Sequence, residues 1–454
     1  MLQFCVNLIL ARLLLPEDFG IIGMIAIFIA VSAVLIDGGF NSALIQKKEP
    51  TQTDYSTILY WNIGISIILY LILFLISPLI ARYFSMPILA DVLKVLGIYL
   101  IISSIFGIQK NRLSKCLAFK CIAITDLSAY IFSASIAIIM AYYGFGVWSL
   151  VAMQIVSGLV TIVVLWLITH WRPSLCFSIQ TIKELFGFGG FILAAGLLQE
   201  FCKNLQGIII GRKFSATQMG YFSQAYKLDQ ISSYSIPQVI VQVMYPVYSS
   251  IQDDRKRLIE ILSMNIRVIS FLIYPILAIL ILIAEPLIIW LYSEKWLPCV
   301  PYFQVLCVGG FFVCLQNVNF YAVAAIGKSK QLFYWSFYKW GFLLAALLIG
   351  MLFGIYGILW GMVLSNLNIY LINAYLVARY VGMQLISQAK CIFPIIGAIT
   401  MSVVIGLLCM EYTNSFFMGT ILFIISYIGI GIIFRYVALE ESIQVAKRII
   451  HKSE

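Results

Sequence analysis

Charge is scarce in this chain. Of its 454 residues only 11% are Asp, Glu, Lys or Arg, while 62% are hydrophobic; soluble domains carry about 25% charged residues. No stretch is polar enough to form a soluble domain, so the composition reads as a polytopic, all-α integral membrane protein. Histidine is nearly absent: His170 and His451 are the two, both near the ends of apolar segments. An integral-membrane acyltransferase wants an intramembrane histidine beside a carboxylate, and this chain does not supply one. The ten cysteines are scattered and form no CxxC pair, so they read as small hydrophobes rather than a disulfide or metal framework. Long outer loops are also missing, which counts against a glycan polymerase or ligase that must hold an acceptor. The opening "MLQFCVNLILA" lacks a cleavable signal pattern. Its 11 residues before Arg12 make about half a span, so Met1 is expected to lie inside the first helix of a longer natural chain.

What is abundant is apolar sequence punctuated by short loops. It predicts a truncated helix to residue 11, then spans near 20–45, 57–81, 91–109, 122–142, 147–169, 186–211, 221–249, 267–291, 299–326, 331–353, 355–378, 388–410 and 416–436. That is about fourteen transmembrane helices. The formal charge of +10 follows topology. Loops after even-numbered spans and the tail hold 20 Lys and Arg, including Lys47, Lys48, Arg112, Lys115, Arg255, Arg379 and Arg435; loops after odd-numbered spans hold five. By the positive-inside rule both termini are cytoplasmic. No aromatic–basic nucleic-acid module accompanies the charge, so nucleic acid is not an expected partner.

The chain also resembles itself. "LILARLLLPEDFG" (8–20) aligns with "IIIGRKFSATQMG" (208–220), matching Arg12 to Arg212 and Gly20 to Gly220. "SPLIARYF" (77–84) aligns with "EPLIIWLY" (285–292), and "GVWSLV" (146–151) lies opposite "GILWGM" (357–362). Equivalent segments are six spans apart and share orientation. This predicts two six-helix lobes, 1–170 and 183–381, related by a pseudo-two-fold axis along the membrane normal. Two additional spans (388–436) and a cytoplasmic tail (437–454) follow. Parallel repeats of this kind place a binding site between lobes in transporters.

Polar residues inside spans mark candidate sites, because a charge at the bilayer centre costs roughly 2.5–3.5 kcal/mol on insertion scales. Gly196, Gln199, Glu200, Lys203, Asn204 and Gly207 follow helical spacing along one stripe of span 7. Either that stripe lines an aqueous cavity, or Glu200 and Lys203 pair as glue between helices. The polar neighbours favour the cavity. Span 8 continues with Gln224, Lys227, Tyr234, Gln238, Gln242 and Tyr245 around Pro237, a candidate bend. Lys227 and Asp229 lie near the outer boundary, where snorkelling is the plain alternative. Lys339 lies with Tyr334 and Tyr338 on span 11, a sugar site or an interfacial belt. Asn366, Tyr370 and Asn373 share a face of span 12, which reads as interhelical packing. Asp37 in "LIDGGF" either binds a coupling ion or caps a helix broken at Gly38–Gly39, the second being favoured.

The segments "ARLLLPEDFGIIGMIAIF", "NSALIQKKEPTQTDY", "YGFGVWSLV", "GRKFSATQMGYFSQAYKL" and "LYSEKWLP" resemble the polysaccharide-transporter (Wzx-type) flippases of the multidrug/oligosaccharidyl-lipid/polysaccharide exporter superfamily. The colanic-acid-exporter-like branch is the most similar type, over about residues 8–436. The resemblance implies a non-enzymatic flippase of the bacterial inner membrane. Its cargo would be undecaprenyl-diphosphate-linked oligosaccharide repeat units, moved by alternating access for O-antigen, capsule or exopolysaccharide synthesis. Membrane lipids, a polymerase and a chain-length regulator of the same pathway are the expected partners. No cofactor is expected beyond coupling to a proton or a sodium gradient. On that reading Lys203, Arg212, Lys227, Lys339 and Arg12 contact the diphosphate, and Gln199, Asn204, Gln238, Tyr334 and Tyr338 meet the glycan. Glu200, Asp37 and Asp229 balance charge or carry coupling. A drug or cation exporter of the same superfamily is the alternative, disfavoured because its site should be acidic and apolar.

Overall fold

The computed structural model describes residues 2–433 apart from 48, 170 and 414. Lys48, Arg435 and the tail 437–454 lie outside the described residues, as does the side chain of Gln242. Among the described residues the chain is helical, without strands. Ten stretches are long and apolar enough to cross a membrane, one of them running through Lys330–Tyr380. Large side chains such as Leu75, Ile139 and Phe393 lie exposed on them, as expected where lipid is the solvent.

The contacts divide the chain into two compact units, Met1–Ser223 and Gln224–Glu454. The first contains α1 (Leu2–Leu13), α2 (Pro16–Asp37), α3 (Phe40–Gln46), α4 (Gln52–Phe84), α5 (Ile88–Lys115), α6 (Phe119–Tyr142), α7 (Val147–Thr169) and α8 (Ile179–Lys213). It also holds the first turns of α9 (Ala216–Asp229). α8 heads the second lobe in the sequence repeat, yet it packs here against α2, α3 and α4. Two features hold it there. Along its length small residues face α2: a Cβ at Gly207 would sit 3.2 Å from the Gly23 carbonyl oxygen, and one at Gly196 3.2 Å from Val34. Small residues let helix backbones approach closely where apolar burial gives no driving force.

The second feature is a polar clasp at the start of α8. Asp54 closes a capping box with Thr51 at the head of α4, accepting from the Thr51 amide at 2.8 Å while Thr51 Oγ1 accepts from the Asp54 amide. The same carboxylate takes Lys47 at 2.8 Å and the Thr181 hydroxyl of α8 at 3.2 Å. The α7–α8 linker is tied alongside: Trp171 Nε1 donates to Gln52 Oε1, and Gln52 Nε2 to the Arg172 carbonyl. Beneath the clasp Phe40, Leu44, Tyr55, Ile58, Ile108 and Leu185 form an apolar core.

The second unit continues α9 through a π-helical stretch, Gln230–Ser235, into α10 (Ile236–Ser250). The distortion directly precedes Pro237, which has no N–H to donate, so the bend expected there takes the form of a widened turn. Next come α11 (Arg255–Leu282), α12 (Ala284–Tyr292), α13 (Val300–Ala325), α14 (Ser329–Gly350) and α15 (Gly354–Tyr380). α16 (Leu385–Thr413) and α17 (Phe416–Ile433) close the unit. α13 is central, packing against α10, α11 and α15, and its Val318 and Ala322 are fully buried. The two C-terminal helices dock on α11: the Tyr427 hydroxyl donates to the Phe271 carbonyl at 3.0 Å.

Candidate functional site

In the first unit the polar stripe of α8 forms a connected group. Lys203 Nζ lies 3.4 Å from Glu200 Oε1, with the two side chains 49% and 28% exposed. Asn204 Nδ2 donates to the Glu200 carbonyl at 2.9 Å and reaches Glu200 Oε2 at 3.3 Å. Gln199 is exposed beside them. The Glu200–Lys203 pair is therefore formed, but it is not buried between helices. The glycine edge of the stripe packs on α2, whereas the charged edge is open. An exposed ion pair one turn apart is worth roughly 0.3–0.5 kcal/mol, too little to explain charges on this helix as structural glue.

The two arginines of the repeat close their helices. Arg12 is exposed in the last turn of α1, and Arg212, in the last turn of α8, lies over the Tyr83 ring at 5.1 Å. Arg212 is nine residues beyond Lys203, about 14 Å along the helix. Asp37 ends α2, where Gly38 and Gly39 both take positive φ. Its carboxylate lies by the Gly39 and Asn41 amides, and Oδ1 has no hydrogen-bond partner.

In the second unit Lys227 is exposed in the last turn of α9, and Asp229 is buried and accepts from the Ser233 hydroxyl of the π-helical stretch. Gln238 Nε2 donates to the Tyr321 hydroxyl at 3.0 Å, and Tyr245 meets the Tyr321 ring edge-on with centroids 5.6 Å apart. Lys339 is 6% exposed and donates to Asn373 Oδ1, a neutral acceptor; Asn373 Nδ2 in turn donates to the Gln316 carbonyl at 2.9 Å. Asn373 thus ties α15 to both α13 and α14, in keeping with interhelical packing. The structure separates Lys339 from its expected tyrosines: Tyr334 and Tyr338 stay largely exposed on α14 among Phe333 and Phe337.

Sequence reading missed the amides of α13 and α16. Asn319 Nδ2 donates to Gln388 Oε1 at 3.0 Å, and the Tyr370 hydroxyl reaches the same oxygen at 3.4 Å. Buried Gln316 Oε1, Asn317 Nδ2, Asn368 Nδ2 and Gln388 Nε2 have no protein partner. Unpaired buried amides are costly, and each of these atoms has room for a further polar partner. The segment "QNVNFY" (316–321) was the available signal, diluted by its apolar neighbours.

These features define a multi-pass helical membrane protein with polar groups set into its helices. Residues 9–301 match the family model described as polysaccharide biosynthesis protein. The chain belongs to that family. It is 25% identical over 304 residues to the teichuronic acid biosynthesis protein TuaB of Bacillus subtilis, covering 66% of this chain and 63% of that protein. It is also 25% identical over 315 residues to the lipopolysaccharide biosynthesis protein WzxC of Escherichia coli, covering 68% and 63%. The succinoglycan biosynthesis transport protein ExoT of Rhizobium meliloti matches at 25% over 337 residues, covering 74% and 68%. The match thus spans somewhat under two thirds of TuaB and WzxC. Among solved structures, the fold resembles the lipid II flippase MurJ in an inward closed conformation, with TM-score 0.72 and 16% identity, covering 96% of each chain. An inward-facing multidrug-resistance MATE transporter gives TM-score 0.66 at 14% identity, covering 84% of this chain and 94% of that one.

Proposed function

We propose that the protein is a flippase for undecaprenyl-diphosphate-linked oligosaccharide repeat units, moving them across the bacterial inner membrane by alternating access. The observation that carries this reading is the open Lys203–Glu200–Asn204 group on a helix set among membrane spans. A diphosphate cannot cross hydrocarbon bare, and an accessible ammonium within the membrane offsets its charge. Membership of a polysaccharide biosynthesis family supports a glycan cargo, and the MurJ-like fold suits a lipid-linked one. Lys203 makes the central diphosphate contact. Arg212 and Arg12, at the ends of their helices, receive or release the headgroup, and Lys227 extends the cationic surface. Gln199, Asn204, Gln238 and the exposed Tyr334 and Tyr338 meet glycan hydroxyls and rings. Lys339 reaches cargo only when its bond to Asn373 is exchanged. Asp37 and Asp229, both tied to neighbouring backbone or hydroxyl groups, balance charge or take part in coupling. The two-lobe repeat, fourteen spans and cytoplasmic termini are parts of the same proposal.

The test is Lys203→Ala in a strain deleted for the native copy. Surface polysaccharide should disappear and lipid-linked repeat units accumulate on the inner leaflet, with the protein level unchanged. Normal export by that variant removes Lys203 from the site.

A further inference from the structure

α5 and α6 each pack along α7 far more than against each other. Where the three helices end together they leave a cavity of about 230 Å³. Gln109, Arg112 and Cys116 line it from the end of α5, Cys121 from the start of α6, and Thr169 and Trp171 from the end of α7. Trp171 is held by its Nε1 bond to Gln52 and turns its ring toward Arg112, whose guanidinium carbon lies 6.0 Å from the ring centroid. Arg112 is partly exposed, and among the described residues no carboxylate pairs with it. Lys110, half a turn earlier, is by contrast matched by Asp126.

Beside the cavity, the turn from α5 to α6 pushes apolar groups outward. Leu117 has φ of 55°, a left-handed conformation that a bulky residue keeps only where its surroundings hold it. Its side chain is 73% exposed, and Phe119 is exposed two residues on, next to the exposed Lys120. The charge distribution assigns this end of the helices to the cytoplasmic side, and exposed Trp166, one turn before the end of α7, marks the headgroup level. Exposed leucine and phenylalanine flanked by cations suit the boundary between headgroups and acyl chains.

We propose that this cavity binds the headgroup of an anionic glycerophospholipid of the inner leaflet, its phosphate on Arg112 and its acyl chains against Leu117 and Phe119. Basic pockets between membrane helices on the cytoplasmic side take anionic headgroups in this way. Size and charge select the occupant. A cavity of about 230 Å³ is smaller than the roughly 300–1,000 Å³ of sites for drug-sized ligands, so an oligosaccharide is excluded and a headgroup fits. One guanidinium without a carboxylate matches one phosphodiester. A zwitterionic headgroup brings an ammonium of its own, and the ring that could receive it, Trp171, already faces Arg112. A glycerol headgroup instead offers hydroxyls to Gln109 and Thr169. The inference rests on the orientation read from charge and does not depend on what the protein transports.

Native thiols supply the readout. Cys116 is exposed and lines the cavity, whereas Cys176, exposed in the α7–α8 linker on the same side, does not line it. The full chain is placed in nanodiscs of dioleoylphosphatidylcholine, alone or with a third of the lipid replaced by dioleoylphosphatidylglycerol. Each cysteine's reaction with N-ethylmaleimide is then followed by peptide mass spectrometry. Phosphatidylglycerol should slow labelling of Cys116 at least threefold relative to Cys176, and soluble glycerol phosphate added to the phosphatidylcholine discs should not. Arg112→Ala should erase that protection, while Arg379→Ala, in the last turn of α15, should keep it. Equal rates in the two lipids overturn the site, a comparison that needs no variant to fold. Protection by glycerol phosphate makes it a site for a soluble anion and overturns the lipid assignment. Protection that survives in Arg112→Ala shows that the phosphate is held elsewhere and overturns the proposal as well.

Discussion

Glu200→Gln separates charge balance from structural pairing on α8. The glutamine keeps an oxygen for Asn204 Nδ2, which sits 3.3 Å from Glu200 Oε2, and leaves the bond to the Glu200 carbonyl intact. What it removes is the negative charge 3.4 Å from Lys203. With both side chains partly exposed, that pair contributes about 0.2–1 kcal/mol to stability, and the variant should unfold within a few degrees of the parent. Its effect on an anionic ligand has the opposite sign. A unit charge about 4 Å from a second one interacts by about 1 kcal/mol in a water-like dielectric. Relieving a diphosphate of repulsion from Glu200 should therefore tighten binding by roughly fivefold. Titration of detergent-solubilised protein with a polyprenyl diphosphate, monitored by intrinsic fluorescence, measures this directly. Lys203→Ala should weaken the same binding, and added salt should shrink both effects as screening grows. Tighter binding in turn slows release, so Glu200→Gln should export less polysaccharide while holding more cargo. Unchanged or weaker binding by the glutamine variant, or a loss of stability well beyond 1 kcal/mol, refutes the assignment of Glu200 as a counter-charge and returns the pair to a structural role.

Two further substitutions test the surroundings of the site. Asp54→Ala removes a cap, an ion pair and the acceptor of Thr181 at a residue 2% exposed. It should lower stability by about 2–4 kcal/mol, seen as a clear drop in thermal midpoint, whereas Glu184→Ala, whose 3.9 Å contact with Lys47 is on the surface, should change it by about 0.5 kcal/mol or less. Asn373→Leu strips the buried Lys339 ammonium of its acceptor and should cost about 3–5 kcal/mol; the double variant Asn373→Leu/Lys339→Met should recover most of that stability without recovering export, and failure to recover it would show that the two do not act as a unit.

Helices, breaks and the charged stripe were legible in the sequence because each leaves a local mark. Gly38–Gly39 announces the end of α2, Pro237 the distorted turn before α10, and the spacing 199, 200, 203, 204 a single face of α8. The packing of α8 against the first unit was not legible. It depends on which side of that helix its glycines present to α2, and on Asp54 reaching Thr181 across 127 positions of sequence. The same holds for Lys339. Its nearby tyrosines in sequence are Tyr334 and Tyr338, yet its partner is Asn373 on α15, chosen by tertiary contact. The amides of α13 and α16 escaped notice for a different reason: Gln316, Asn319 and Gln388 carry no charge and stand among apolar neighbours, although burying them unpaired costs as much as many visible features.

The distribution of polar groups bears on how such a protein could work. In the first unit the charges on α8 are open and already neutralised in part by one another, so cargo can approach them at little desolvation cost. In the second unit Lys339 and the amides around α13 are sealed, and several lack protein partners. A sealed ammonium with a neutral acceptor is a high-energy arrangement that cargo oxygens or water would relieve. If the sealed group of the second unit is exposed only as that unit's helices part, binding of a polar ligand there favours the moved conformation by the energy of that relief. Differential interaction of this kind is what a ligand needs to shift a conformational equilibrium. Prolines and the π-helical turn at 230–235 place the weakest backbone of the second unit close to that cluster, between Asp229 and Gln238, where a small change of helix geometry would uncover it.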